Sequence, residues 1–210
     1  MRLRIKFSKT DEMRYTSHLD LFRTWERTLR RASLPLAYSQ GFKPHPRINL
    51  ASALPLGFTS NCEIADIWLE REMPLGEIAS AMDRAAPPGI RISEIREIDE
   101  RTPALQSQLK ASKYIITFPE PLPQLDKRLE ELLSKDSIPR ERRQKTYDLR
   151  PLILDAEVIP AGDTGQQRLE VSLMAQEGAT GRPEELILAL GGEPEMARIQ
   201  RTGLIFQSEA

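Results

Sequence analysis

Segments of strand-like and helix-like periodicity follow one another in a fixed order through the first half of the chain, and this order restricts the possible folds most. Residues 2–7 alternate basic and apolar side chains, the period-two pattern of a half-buried strand. The same reading predicts a helix to about residue 33, extended segments at 46–54 and 62–70, a helix at 74–86 and a strand at 91–98. Strand, helix, strand, strand, helix, strand is the order of the split βαβ, or ferredoxin-like, unit.

The first helix has a clear start signal and an apolar side. Ser17 is predicted to be its N-cap, with Asp20 reaching back to form a capping box. Pro35 favours an end of the helix shortly before it. The predicted apolar stripe consists of Leu19, Phe22, Trp25 and Leu29.

A similar order recurs in the second half. A polar stretch without periodicity, residues 99–112, is interpreted as a linker. It is followed by a strand at 114–118, a helix at 122–134, extended pieces at 142–149, 152–159 and 168–174, a helix at 183–190 and a strand at 197–206. The prediction is an α+β chain of two tandem ferredoxin-like (βαββαβ) halves, residues 1–98 and 113–210, with antiparallel sheets and helices on one face.

Composition excludes several classes of protein. Of 210 residues, 40% are hydrophobic and 29% charged, which is typical of a globular chain with a core. No apolar run is long enough for a transmembrane helix, and the alternating N-terminus does not resemble a secretory signal. Cys62 is the only cysteine, so neither an internal disulfide nor a thiolate cluster is expected, and a cytoplasmic location is predicted.

Charge is distributed unevenly along the chain. The formal net charge is −1, yet the first 50 residues contain eleven cations and four anions, a net charge of +7. A basic first quarter on an otherwise acidic chain indicates a surface that faces a polyanion.

Two groups of cations belong to this basic quarter. Arg2, Arg4 and Lys6 share the outer face of the first strand. Four arginines on the first helix share a face at i, i+4, i+7 and i+8, namely Arg23, Arg27, Arg30 and Arg31. The arginine fork binds two phosphate oxygens at once. The alternative is a solvated helix face on which Glu26 and Arg30 form an i,i+4 pair.

The segment 37–57, "AYSQGFKPHPRINLASALPLG", is rich in glycine and proline and is predicted to be a stiff loop. Its aromatic residues, Tyr38 and Phe42, have the chemistry to stack on unpaired bases, and its cations the chemistry to meet phosphates. The candidate binding residues of this loop are Tyr38, Phe42, Lys43, His45 and Arg47. The alternative is that the aromatics pack into the domain and the cations point to water.

The chain has two histidines, His18 and His45, which are the candidate acid and base for phosphodiester cleavage without a metal. His18 together with Asp20 and Glu63 or Asp66 has the chemistry of a metal site, but no tight ligand spacing supports one. No cofactor fingerprint is present, so no metal and no cofactor is predicted.

Residues 2–69 strongly resemble the radical SAM-linked protein family, a bacterial domain of unknown function. The residues that carry this resemblance are Tyr15, Ser17, His18, Asp20, Arg23, Arg30, Arg31, Leu34, Pro35, Tyr38, Ser39, Gly41, Phe42, Pro44, Ala53, Leu54, Pro55, Gly57, Glu63 and Asp66. "YDLRPLI" at 147–153 resembles the family's second short signature, through Asp148, Arg150 and Pro151.

The resemblance implies a chain fused to, or encoded beside, a radical SAM protein. A radical SAM enzyme needs three cysteines for its cluster, so this chain would be the separate companion. The family's genes often lie near a ribonuclease E/G-type gene and ribosomal-protein genes, which implies an RNA context by association. Arg150 joins the candidate binding residues on this basis.

Three functions are compatible with these observations. The first is a non-catalytic companion of a radical SAM protein that binds RNA or presents substrate for an RNA- or ribosome-related modification. The second is a metal-independent RNA-processing enzyme, for which tandem ferredoxin-like halves resemble, in architecture only, CRISPR repeat-processing endoribonucleases. The third is a protein-binding adaptor of the radical SAM partner, whose loop and arginines meet acidic residues.

Overall fold

Residues 1–142, 144–161 and 165–207 are described by the structure, a computed structural model. The chain divides into two units, Met1–Gln108 and Leu109–Ala210. The elements of the first unit are β1 Arg2–Lys9, α1 His18–Arg31, β2 Ile48–Leu50, β3 Phe58–Trp68, α2 Leu75–Ala85, β4 Ile90–Ile98 and α3 Leu105–Gln108.

The sheet of the first unit has the order β2-β3-β1-β4, and every neighbouring pair is antiparallel. Alternate residues of β1 (Leu3, Ile5 and Phe7) point into the core, as their period-two pattern predicts. The same core contains the buried faces of α1 and α2, so both helices pack on that side of the sheet. Phe7 and Trp25 form an edge-to-face pair in it, with ring centroids 4.7 Å apart.

The opposite side of the sheet is charged but largely neutralised. Asp66 on β3 is fully buried, and its Oδ2 and Oδ1 lie 2.6 Å from Arg2 and 2.8 Å from Arg4. Lys6 pairs with Glu94 on β4 at 2.7 Å. Arg2, Arg4 and Lys6 therefore have anionic partners within the unit, and the interpretation of these three cations as part of a polyanion-facing surface was wrong.

The second unit contains β5 Leu109–Phe118, α4 Leu125–Leu133, β6 Pro139–Arg142, β7 Lys145–Asp148, β8 Ile153–Ile159, β9 Gln167–Gln176, β10 Ala179–Thr180, α5 Pro183–Ala189 and β11 Arg198–Phe206. Its sheet has the antiparallel order β8-β9-β5-β11, with β10 paired to the end of β9. Strands β6 and β7 form a separate two-stranded ribbon. The chain is α+β, with antiparallel sheets in both units.

Two predicted segments differ from the structure. The boundary between the units falls inside the predicted linker 99–112, where α3 and the start of β5 are regular and Leu105 and Leu109 are buried. The predicted extended segment 142–149 instead begins in the turn of the β6–β7 hairpin, where Gln144 has a φ of +63°. Arg143 lies outside the described residues.

None of the helices in the described part of the chain has the length and apolar character needed to cross a membrane.

Candidate functional site

The exposed side of α1 carries the predicted arginine face. Ser17 caps the helix by accepting the main-chain N–H of Asp20 at 3.2 Å, which confirms the predicted cap. The Ser17 hydroxyl also lowers the pKa of Asp20 below its ordinary value, so this carboxylate is charged at neutral pH. Asp20 in turn lies 3.2 Å from the Arg23 guanidinium.

The arginines of α1 differ in how well they are compensated. Arg31 donates to the carbonyl of Ala85 at the end of α2, at 2.7 Å. Within the described ranges, neither Arg27 nor Arg30 has a carboxylate within the 4.0 Å of an ion pair. The expected Glu26–Arg30 pair does not form. These two exposed cations are the strongest candidates for an external anion.

The loop beside α1 is closed at its base by main-chain hydrogen bonds. Arg47 N donates to Ala37 O and Ser39 N donates to His45 O, both at 2.8 Å, while His45 N donates to the Ser39 hydroxyl at 3.1 Å. At the tip, Gly41 has a φ of +129°, which a residue with a side chain rarely adopts. The base is pinned, so the side chains at the tip are held away from the body of the unit.

Both aromatic side chains of the loop are exposed, Tyr38 near its base and Phe42 near its tip. Phe42 is fully exposed and Tyr38 is exposed as well, so neither ring is tucked into the core. Lys43 next to Phe42 is exposed too. His45 Nδ1 lies 3.8 Å from Glu26 Oε1, which places the loop beside the arginine-bearing side of α1.

Arg47 stands at the base of the loop rather than at its tip. Its guanidinium lies 4.6 Å from the centroid of the Trp68 ring, and the Arg2 guanidinium lies 4.8 Å from the same centroid. Contacts of this length are cation–π interactions. Arg47 is thus exposed but anchored, with its orientation fixed by Trp68.

Three apolar residues in or near the start of α1 are exposed, which the sequence did not indicate. Leu19, which the predicted apolar stripe includes, is 69% exposed. Leu21 is buried in its place. Tyr15 and Leu56 are also exposed. The spacing of Leu21, Trp25 and Leu29 at i, i+4 and i+8 is the signal that would have placed Leu19 outside the stripe.

Two interactions tie the segments of these apolar residues together. Arg14 and Gly57 exchange a pair of hydrogen bonds, Gly57 N to Arg14 O at 3.0 Å and Arg14 Nε to Gly57 O at 2.9 Å. The buried Lys9 ammonium donates to the carbonyls of Arg14, Thr16 and Phe58. Tyr15, Leu19 and Leu56 therefore belong to one region at the start of α1.

The two histidines are placed apart. His18 is the first residue of α1, and His45 lies beside Glu26, eight residues further along the helix. A rise of about 1.5 Å per residue separates these helix positions by about 12 Å along the axis. An acid and a base that act on one phosphodiester flank it closely. This spacing argues against an acid–base pair of His18 and His45.

The described residues contain no group of three His, Cys, Asp or Glu side chains placed to hold a metal ion. Asp66, one of the residues weighed as a ligand together with His18, has its carboxylate bonded to Arg2 and Arg4 instead.

Arg150 belongs to the second unit and has a local partner set. Its Nε donates to Leu133 O at 3.1 Å and its Nη1 to Ile153 O at 3.4 Å. Asp148 accepts the main-chain N–H groups of Ile138 and Arg150 at 2.7 and 2.9 Å. In the structure, the polar residues of the second signature therefore hold a turn.

A sequence profile matches residues 2–183, which is most of the chain. The profile describes uncharacterized proteins conserved in bacteria, DUF2344. The chain belongs to this family. The family's description does not mention a radical SAM protein, so that partner stays a prediction. No curated protein matches the chain.

Two solved structures resemble the DUF2344 chain at 13% identity. A chain in the crystal structure of a Cbf5-Nop10-Gar1 complex has a TM-score of 0.51, with 96% of this chain and 48% of that chain covered. A chain of the archaeal box H/ACA sRNP Nop10-Cbf5 complex has a TM-score of 0.47, with 99% and 49% covered. The DUF2344 chain spans about half the length of both. At this identity the first likeness concerns the fold alone.

Proposed function

We propose that the first unit of this DUF2344 protein binds single-stranded RNA without cleaving it, as a companion that holds or presents RNA for another protein. The RNA-binding surface consists of Arg23, Arg27, Arg30 and Arg31 on α1 and Tyr38, Phe42, Lys43, His45 and Arg47 of the loop. We propose a radical SAM protein as the partner, on the resemblance of residues 2–69 alone.

The observation that carries the proposal is the fully exposed Phe42 on a loop with a pinned base. Flat aromatic rings beside cations are how proteins hold unpaired bases, because every base has a face that stacks and every nucleotide has a phosphate. Lys43 adjoins the ring, and the loop lies beside the helix that carries the uncompensated Arg27 and Arg30.

The fold supports the same proposal at a coarser level. We propose that both units are ferredoxin-like, because the strand order β2-β3-β1-β4 of the first unit recurs as β8-β9-β5-β11 in the second, with β6–β7 as an inserted ribbon. The similar structure with the TM-score of 0.51 is that of a Cbf5-Nop10-Gar1 complex. An RNA context for this chain is part of the proposal.

Ultraviolet crosslinking of a tagged copy in cells, followed by labelling of attached RNA, tests the function directly. We expect an RNA band with the wild-type chain and a much weaker band with Arg27→Glu, since a cation that meets phosphate becomes an anion that repels it. Sequencing the crosslinked RNA would identify the substrate. A chain that carries no RNA in cells would overturn the proposal.

Truncating the loop ring should weaken binding without affecting the fold. We expect Phe42→Ala to cost about 1–3 kcal/mol of binding free energy for a short single-stranded RNA, because it removes one stacking contact. Phe42→Trp keeps a stacking ring and should bind as the wild type does. Leu154→Ala removes an exposed apolar side chain in the second unit and is the control. Fluorescence anisotropy with a labelled oligonucleotide measures all four chains.

A protein-binding adaptor is the second candidate, and the exposed group of Tyr15, Leu19 and Leu56 favours it. Exposed apolar side chains that lie together are typical of protein–protein contacts. The radical SAM protein would then co-purify with the chain after nuclease treatment in high salt, and Leu19→Glu would release it. Loss of the complex under nuclease alone would instead indicate that RNA links the two proteins.

A further inference from the structure

A cleft of about 660 Å³ lies in the second unit. Its lining comes from the ribbon β6–β7, from Leu152 and from residues 178–182, which include β10. Sites for small molecules usually have volumes of about 300–1,000 Å³. The cleft is therefore large enough for a small molecule or for the terminal residue of a polymer.

The lining carries an excess of positive charge. Arg142, Lys145 and Arg182 all line the cleft, and among the residues that the structure describes none of the three has a carboxylate at ion-pair distance. The acid in the lining is Asp148, whose Oδ1 accepts two main-chain N–H groups. Three cations against one internally bonded carboxylate favour an anionic ligand.

Two of these cations face each other across the ribbon. Arg142 is directly opposite Lys145 in the register of β6 and β7. Like charges in directly opposed positions destabilise an antiparallel pair. A bound anion would relieve this repulsion, because the two cations would then share one partner. The opposed cations therefore destabilise the ribbon when it is empty and favour the binding of an anion between them.

An aromatic ring completes the lining. Tyr147 lines the cleft and is half-buried, and burial raises the pKa of its phenol above the ordinary value. The phenol is therefore neutral at physiological pH and can donate a hydrogen bond. The nearby carboxylate of Glu185 is bonded to Arg140 at 3.0 Å, which limits its repulsion of an incoming anion.

We propose that this cleft binds a nucleotide, with Arg142, Lys145 and Arg182 around its phosphate and the Tyr147 ring against its base. The nucleotide is either free or the phosphorylated terminal residue of an RNA, since both present the same phosphate and base. This site is in the second unit and does not rest on the RNA-binding surface proposed for the first.

Isothermal titration calorimetry of the full chain with adenosine 5′-monophosphate and with adenosine tests the site. We expect the monophosphate to bind at least tenfold more tightly than adenosine, because the cations have no partner in the nucleoside. Arg142→Gln and Arg182→Gln should each raise the Kd for the monophosphate about tenfold or more. Lys127→Gln removes an exposed cation of α4 that is not part of the lining, and it should leave the Kd unchanged.

A second titration separates the two sources of nucleotide. A short RNA whose affinity falls when its 5′-phosphate is removed, and falls likewise with Arg182→Gln, would identify an RNA end as the ligand of the cleft. Equal affinity of the RNA with and without its 5′-phosphate would identify a free nucleotide. Equal binding of adenosine and its monophosphate, or equal Kd values for the wild type and both arginine variants, would overturn the site. Thermal melting of each variant checks that these surface changes leave the unit folded.

Discussion

Reversing Arg23, Arg27 and Arg30 to glutamate together should nearly abolish RNA binding by the first unit. For single strands, each phosphate contact contributes about 0.7 to the slope of log K against log salt, so three lost contacts should lower that slope by about 2. The loss of counterion release alone corresponds to roughly 50-fold in affinity at about 0.15 M salt, and repulsion by the new carboxylates adds to it. Arg27 and Arg30 should account for most of the effect, because Arg23 already has Asp20 as a partner.

The measurement is a salt titration of oligonucleotide binding by fluorescence anisotropy, with a control of equal charge change. Arg71, Arg91 and Arg101 are exposed cations of the same unit that lie outside α1 and the loop. Reversing these three changes the net charge by the same amount, and we expect it to leave most of the salt slope in place. Equal losses in both triple variants would mean that net charge alone attracts RNA, and wild-type binding by the α1 variant would remove this surface from the proposal.

The order of elements in the first unit could be predicted because the signals for it are local. Alternation along β1 and the Ser17 cap each depend on residues within a few positions of one another, and both are present in the structure. The error at Leu19 was one of phase. Leu19 and Leu21 both fit a helix, but only Leu21 has the spacing that shares a face with Trp25 and Leu29.

Features that depend on distant residues could not be predicted in this way. Arg2 and Arg4 read as an outward basic face, but their partner Asp66 comes from a strand about 60 residues later, and only the register of β1 with β3 brings it opposite. In the stretch 99–112, the main-chain carbonyls of Glu100 and Pro103 accept hydrogen bonds from Arg2, and the pattern of side chains gives no sign of such contacts. The cleft of the second unit is also formed by segments far apart in sequence.

The exposure of the loop aromatics could be predicted from local signals. Exposure of Tyr38 and Phe42 follows from a loop whose glycine and prolines keep it from packing as a helix or strand. The sequence did not show which arginines of α1 have a partner within the unit and which do not. That depends on Glu26 turning toward His45 and on Arg31 reaching Ala85, both of which are tertiary contacts.

The buried charge network on the side of the sheet away from α1 leads to the largest expected effect on stability. The Arg2 and Arg4 guanidiniums both bond the fully buried carboxylate of Asp66, at distances of 2.6 to 2.9 Å. Arg2 also donates to the carbonyls of Glu100, Thr102 and Pro103. Asp66→Ala would leave two guanidiniums, one of them buried, without their counter-charge. We expect it to lower the free energy of unfolding of the first unit by about 3–5 kcal/mol.

Urea denaturation followed by tryptophan fluorescence measures this loss. The signal reports unfolding of the first unit, because both tryptophans of the chain, Trp25 and Trp68, lie in that unit. Glu94→Ala is the matched control. Glu94 also bridges two cations, Lys6 at 2.7 Å and Arg96 at 3.5 Å, but all three side chains are exposed to solvent. Solvent screens exposed ion pairs, so the control should lose little stability.

A further variant separates two contributions to the free energy of unfolding. One is the penalty for guanidiniums without a counter-charge, and the other is the net contribution of the intact ion network. Replacing Arg2, Arg4 and Asp66 together by Met, Met and Leu removes the charges along with their partner, and well-packed apolar replacements of buried ion networks are often close to neutral. We therefore expect the triple variant to recover much of the stability that Asp66→Ala loses. If Asp66→Ala lost no more than Glu94→Ala, water would have to reach the two guanidiniums, and the network would not be the buried anchor of β1 that its geometry indicates.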